Sequence, residues 1–354
     1  MYLAINEIKK NKMRYGLIIS VISLITFLIF ILTSLALGLA NENTTALKTW
    51  QTKSAILTKD SNGNMGQSLM SEEQFNKMKM SRGDYQVGIT PTNLKIGDDD
   101  QTTSVQYVGV KTNQELYKKL VYVNGHPAEA DNEIVLSDKI KNIKLNDEVK
   151  LGQSDKSYKV VGFVKNAEYN MAPVVYGSLN QWHKVKGVDK YFVGSGVLST
   201  NQKRNDEIAS KDLTLLSIDE FMNKLPGYSA QNATFTFMIA FLVIISLVVV
   251  TIFLYILTTQ KIKNLAVLRA QGVPTGYLLK NTFNETGIIM IFSILIGLIT
   301  TFVVSLVIPE SVPMHFDVQF TLLIAGGILI TGLLGALIPM RIISKIDPVS
   351  VIGG

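Results

Sequence analysis

No cysteine occurs among the 354 residues. That absence excludes a disulfide scaffold, a zinc–thiolate site and a cysteine nucleophile. Charge is also scarce, at 18% of residues, where a soluble domain carries roughly a quarter. The three histidines, His126, His183 and His315, lie far apart and make no metal-ligand spacing. There is no G-x-x-x-x-G-K-[ST] loop to cradle ATP phosphates and no H-E-x-x-H helix. Gly97 with Asp98, Asp99 and Asp100 lacks the spacing and terminal Glu of a calcium loop. No catalytic constellation is left, so a non-enzymatic role is expected.

What is present is apolar. Hydrophobic residues make up 47% and the mean hydropathy is +0.26, which rules out disorder. The apolar residues are concentrated. Tyr15 to Ala40, Thr234 to Thr258, Thr286 to Pro309 and Val318 to Met340 contain no charged residue. Each exceeds the ~20 residues needed to cross ~30 Å of hydrocarbon. None shows the polar face of a soluble core helix, so four transmembrane helices are expected at 15–40, 234–258, 286–308 and 318–340. The first run is too long for the apolar region of a signal peptide and is read as a retained anchor.

The net charge of +6 at first suggests nucleic acid, but its distribution says otherwise. The N-terminal tail carries +3, the 259–285 loop +3 and the C-terminal tail +1. Residues 41–233 carry +1 and the 309–317 loop −2. The positive-inside rule therefore places both termini and the 259–285 loop in the cytoplasm, with 41–233 and 309–317 outside. The charge gives orientation in a cell membrane and leaves a nucleic-acid partner without support.

About 190 residues between the first two helices form a domain rather than a loop. Tyr107–Val110, Glu133–Leu136, Glu148–Leu151, Tyr158–Val164 and Val174–Tyr176 are β-rich and bounded by turn residues. Gly152-Gln153-Ser154-Asp155 reads as a hairpin loop. The fold class expected is a membrane protein of four transmembrane helices, with a mixed α/β extracellular domain inserted between helices 1 and 2.

The 259–285 segment contains Ala266-Val267-Leu268-Arg269-Ala270-Gln271-Gly272-Val273-Pro274. Helix 2 is expected to run to Ala270, with Gly272 as a left-handed stop and Pro274 blocking resumption. Thr275 is expected to cap a short helix to about Thr282 that lies along the membrane. Leu265, Val267 and Leu268 with Arg269 form an apolar patch rimmed by charge. Such a patch suits either a partner's groove or the membrane interface. Intramembrane charge is expected to be absent, and Glu285 to favour the positive end of helix 3.

This run, with Glu285 entering helix 3 and Asp347-Pro348-Val349 after helix 4, resembles the FtsX/MacB-type permeases of ABC transporters. So do the topology and the string Val123-Asn124-Gly125-His126-Pro127 through Glu133-Ile134-Val135-Leu136-Ser137. The resemblance covers the chain and implies a homodimeric permease that binds two cytoplasmic ATPase subunits, with ATP held by the partner and no cofactor bound permanently. Leu265, Leu268, Arg269, Gly272, Pro274, Thr275, Tyr277 and Glu285 would be its coupling residues. The 1–14 segment, with Tyr2, Ile5 and Ile8 opposite its lysines, would be an amphipathic helix on the membrane lipid. Leu37 to Asn43, Asn166-Ala167-Glu168-Tyr169, Tyr228 and the tail to Gly354 further resemble heme efflux permeases of Gram-positive bacteria.

Heme as transported substrate would need apolar walls and an axial ligand. Tyr169 and Tyr228 are the expected ligands, and Trp50 can stack on the porphyrin. Gln231 stands where relatives carry a carboxylate, and a neutral amide is a poorer iron ligand. Export of an antimicrobial peptide or lipophilic toxin, or regulation of a cell-wall hydrolase or sensor kinase, are the alternatives for the same architecture. Tyr and Trp also gather at membrane interfaces for amphipathic reasons. His315 is expected to be a solvated loop residue.

Overall fold

The computed structural model describes residues 7–78, 80–96, 102–112, 114–152, 156–201, 212–309 and 312–345. The Asp98–Asp100 run, Gln153 to Asp155 of the hairpin loop, Tyr2 and Ile5, and the Asp347-Pro348-Val349 tail lie outside these residues. The chain divides into two compact units, one of Met1–Gly38 with Ala233–Gly354 and one of Leu39–Asn232.

The first is a membrane unit. Four helices are long and apolar enough to cross a bilayer: α1 (Lys12–Thr49), α2 (Tyr228–Ala270), α3 (Thr275–Ser305) and α4 (Val318–Gly335). A turn at Ala336 leads from α4 into a short helix, Leu337–Ser344. In hydrocarbon every backbone group must be satisfied within its own helix. The side-chain hydroxyls follow the same logic. Thr33, Thr251 and Thr301 each donate to the carbonyl four residues earlier, at 2.7 Å. Small residues bring the helices together. A Cβ at Gly297 would strike Thr26 of α1, and one at Gly332 would strike Met290 of α3. Thr26 Oγ1 also donates across to the Ser293 carbonyl at 3.2 Å.

The inserted unit, 39–232, is built on a mixed sheet. Its strands are β1 (Ser54–Thr58), β2 (Met70–Ser71), β3 (Asp84–Ile96), β4 (Thr102–Val110), β5 (Val121–Gly125), β6 (Glu133–Ser137), β7 (Glu148–Leu151), β8 (Ser157–Lys165), β9 (Glu168–Tyr169), β10 (Ala172–Ser178), β11 (Phe192–Gly194), β12 (Gly196–Ser199) and β13 (Leu213–Ser217). The main sheet runs β13-β1-β12-β3-β4-β10-β6-β8-β5; β7 and β9 pair off this path, and β2 pairs β11. The pairs β4/β10 and β6/β8 are parallel, and the other pairs are antiparallel. The inner stretch Val105–Val110 of β4 is buried at every residue, as a strand covered on both faces should be.

The helix Leu179–Lys186 covers one face of β3 and β4. Ser178 caps its start by accepting from the Asn180 N–H, and Gly187 ends it at φ 75°. Its Trp182 is fully buried and lies where a Cβ on Gly88 would be. A second core gathers Trp50, Tyr117, Tyr169 and Tyr176 with Val108, Val161 and Phe221. The five β-rich segments expected from sequence all fall inside strands. Helix 2 ends at Ala270 as expected.

Candidate functional site

The link between α2 and α3 is a tight elbow, and its construction follows from Gly272 and Pro274. Gly272 sits at φ 91°, open to a residue without a Cβ. Its N–H donates to the Arg269 carbonyl at 3.0 Å, and the Val273 N–H donates to the Leu268 carbonyl at 3.1 Å. This is the paired Schellman arrangement, which satisfies the last carbonyls of α2. Val273 and Leu268 also join the apolar cluster of Ala266, Leu278 and Ile343 that usually accompanies such a cap. Pro274 is extended and stands just ahead of α3.

Two expectations for the elbow are corrected here. Thr275 is the first residue of α3 and makes no cap; Pro274 holds the cap position without a side-chain bond. There is no separate short helix at 275–282, because α3 runs unbroken from Thr275 to Ser305. Thr282 and Thr286 donate their hydroxyls to carbonyls a turn earlier and do not interrupt it. Nothing in the sequence between Thr275 and Glu285 breaks a helix, so the two segments merge.

The elbow divides the expected coupling residues into two sets. Leu265 and Leu268 are partly buried in the cluster and hold the joint closed. Arg269 is half-buried. Tyr277 and Val267 remain exposed, at 54% and 45%, beside exposed Gly272 and Lys280. The second set is the exposed face of the elbow.

Glu285 is buried, eleven positions into α3 counted from Thr275. That is beyond the reach of the helix-end charge, so the expected role at the helix start is overturned. Instead it anchors a polar cluster. The Lys261 ammonium of α2 donates to Glu285 Oε1 at 2.9 Å, to Tyr15 Oη of α1 at 2.7 Å and to Glu7 Oε2 at 3.1 Å. Tyr15 Oη–H donates in turn to Glu285. An ammonium has three donors, and all three are used. The expectation that charge is absent from the membrane helices holds only for the runs as counted from sequence. Lys261 and Glu285 flank those runs by one to three residues, and helical geometry folds both inward. One cluster thus ties α1, α2, α3 and the segment before α1.

The residues expected to contact heme are in the inserted unit. Trp50 is fully buried and Tyr169 is 3% exposed. Their rings are 6.1 Å apart, and Trp50 Nε1–H donates to Tyr176 Oη at 3.0 Å. Burial pushes the Tyr169 and Tyr176 phenols above their ordinary range, which opposes the phenolate an iron ligand needs. Tyr228 is partly buried against the same core. Gln231, one turn along α2, is half-buried and accessible. Among the described residues no group of three His, Asp or Glu could hold a metal ion.

The charge cluster was not anticipated, although its members were visible. A Lys and a Glu just beyond two apolar runs, both on the same side of the membrane, are the signal that could have found it. Residues 236–348 match the family described as FtsX-like permease C-terminal. The whole chain aligns at 26% identity with a protein named hemin transport system permease protein HrtB from Staphylococcus epidermidis and with one of the same name from Staphylococcus haemolyticus, over 99% of the length of each. Two solved structures resemble 46% and 48% of the chain. One is the extracellular domain of the ABC-type transporter YknZ from Gram-positive bacteria, at 15% identity, 98% coverage of that structure and TM-score 0.34. The other is the periplasmic region of MacB from Actinobacillus actinomycetemcomitans, at 12% identity, 89% coverage and TM-score 0.35.

Proposed function

We propose that this chain, an ABC-transporter permease subunit with an FtsX-like permease C-terminal domain at residues 236–348, exports heme from the membrane as a homodimer driven by two ATPase subunits. The observation that carries this reading is the end-to-end alignment with proteins named as hemin transport permeases. In this reading both termini and the elbow face the cytoplasm, supported by the excess of Lys and Arg in those segments. The inserted unit faces outward.

The elbow supports the coupling step. Its exposed face of Val267, Tyr277 and Lys280 is available to an ATPase, and its inner face is fastened to α2 and α3 by Leu268, Val273 and Leu278. The Lys261 cluster joins α1 to the same end, so a push on the elbow moves three helices together. The dimer is supported by an apolar stripe on α2. Phe237, Phe241, Ile244, Val248, Ile252 and Tyr255 recur at three- and four-residue spacing and are exposed in the single chain. Tyr228 and Gln231 are the accessible members of the expected heme contacts; a role for Trp50 and Tyr169 requires the aromatic core to open.

The test is co-expression with the ATPase in a heme-sensitive host, alongside hemin titration of the purified dimer. Heme tolerance that depends on ATP hydrolysis, with a Soret band on the permease, is the expected result. Rescue from a peptide or lipophilic toxin without heme binding would select the first alternative. A cell-wall hydrolase or sensor kinase that depends on the chain, with no transport phenotype, would select the second.

A further inference from the structure

Ser34 departs from the pattern of Thr33, Thr251 and Thr301. It is 3% exposed, and its Oγ has no hydrogen-bond partner among the described residues. Its carbonyl is occupied by the backbone N–H of His315 at 3.1 Å. A buried hydroxyl left unpaired gives up its bonds to water with nothing in return. Ser23 and Ser246 are also unpaired among the described residues; Ser34 in addition lines a cavity. That cavity has a volume of about 450 Å³ and lies between Phe30–Leu37 of α1, Leu298–Phe302 of α3 and the first turn of α4. This is the size range of small-molecule sites.

The walls are apolar and aromatic, with Phe30, Leu298, Phe302 and Phe316 prominent. At the rim stands His315, exposed, its ring making no hydrogen bond among the described residues. Its backbone is nevertheless fixed. The N–H is tied to Ser34, and the Pro313 carbonyl fills the place a Cβ would take on Gly38. The loop is therefore strapped onto α1, and the imidazole is held over the cavity.

We infer that this cavity is a metalloporphyrin site, with His315 as axial ligand to the iron and Ser34 Oγ bonding a polar edge of the macrocycle. The inference rests on the heme-export reading and adds a second place for the substrate, apart from Tyr169 and Tyr228. A porphyrin already supplies the equatorial ligands of its iron, so one protein nitrogen suffices where a free metal ion would need several. A lipid chain fits the walls less well, since it would leave the Ser34 hydroxyl unpaired and has no use for an imidazole.

The full-length protein in detergent separates these cases. Hemin should bind His315→Ala at least about tenfold more weakly than the unaltered chain, with a displaced Soret band. Iron-free protoporphyrin, which has no metal to ligate, should bind both alike. Leu298→Phe, which narrows the cavity, should weaken both ligands, and Tyr169→Phe with Tyr228→Phe should leave the His315-dependent band in place. An unchanged Soret band and affinity in His315→Ala would overturn the inference while heme export stands. Phospholipid co-purifying in the cavity with hemin binding unaffected by His315→Ala or Leu298→Phe would likewise overturn it. Absence of hemin binding by the unaltered chain, with no gain of heme tolerance in cells, would remove the export reading and this site together.

Discussion

In the inserted unit, Tyr107 and Trp50 reach across to other elements; in the membrane unit, Thr33, Thr251 and Thr301 are tied to their own helix. Tyr107 Oη–H donates to the Ser178 carbonyl at 2.7 Å, and Trp50 to Tyr176 at 3.0 Å. Thr33, Thr251 and Thr301 instead bond one turn back. The first pattern cross-links a sheet, so moving one strand breaks bonds on another. The second leaves each helix self-sufficient, and neighbours can shift at the cost of packing alone. The cross-links of the membrane unit include the Lys261–Glu285–Tyr15–Glu7 cluster, the Arg14–Gln260 bond, the Thr26–Ser293 contact and the Ser34–His315 strap. One unit is therefore tied through its sheet, and the other at a few points, the elbow end and the Ser34–His315 strap among them.

Both tryptophans, Trp50 and Trp182, belong to the inserted unit. Tryptophan emission of the intact protein reports that unit, while far-ultraviolet helical ellipticity is dominated by the other. The largest expected effect comes from Lys261→Met, which leaves two carboxylates facing each other at the membrane edge. A loss of about 3–5 kcal/mol is expected, read as an earlier helical melt with the tryptophan melt unmoved. The double change Lys261→Met with Glu285→Gln should recover part of it. A tryptophan melt that falls in step would show that the two units are not independent.

The converse comes from Gly88→Ala, whose Cβ overlaps the Trp182 indole. Overpacking of about 1–3 kcal/mol is expected, lowering the tryptophan melt alone. Smaller still is Gly272→Ala. Space is free there, so the cost is that of a positive φ, about 1 kcal/mol. Its signature is reduced ATP-driven transport with little change in either melt.

The smallest effect is a pH dependence. Asp131 accepts from the Ser178 hydroxyl and from the Gln181 and Asn180 amides, which hold its carboxyl below the ordinary range. Its contribution is present above the unfolded value of about 4 and is lost as the pH falls through the lowered folded value. Asp131→Asn should lower the tryptophan melt slightly at pH 7 and flatten its decline in acid. An identical acid decline in both proteins would discount the Ser178 bond.

The four spans were legible because an uninterrupted apolar run has few other uses, and the strands because β-branched segments were bounded by turn residues. The Schellman elbow was legible in part from Gly272 and Pro274. What the sequence could not give were meetings between distant positions. Glu7, Tyr15, Lys261 and Glu285 lie on four segments, and only the packed helices bring them to one ammonium. The continuity of α3 is hidden because Thr275 reads as a cap, while no residue between it and Glu285 stops the helix. Trp50 and Tyr169 look alike in sequence whether they belt a membrane or fill a core. His315 is the exposed loop residue its sequence context suggests, but its strap to Ser34 leaves no sequence pattern.

That strap has a consequence for how the first and last spans share load. Because the Pro313 carbonyl occupies the space of a missing methyl at Gly38, α1 and the lead into α4 are riveted at one end. The elbow cluster rivets α1 to α2 and α3 at the other. A beam fixed at both ends cannot pivot; it can only bow or translate as a whole. Any stroke that begins at the elbow must therefore carry α1 along its length, and Gly38→Val, by drawing the upper rivet, would turn a piston into a swinging arm.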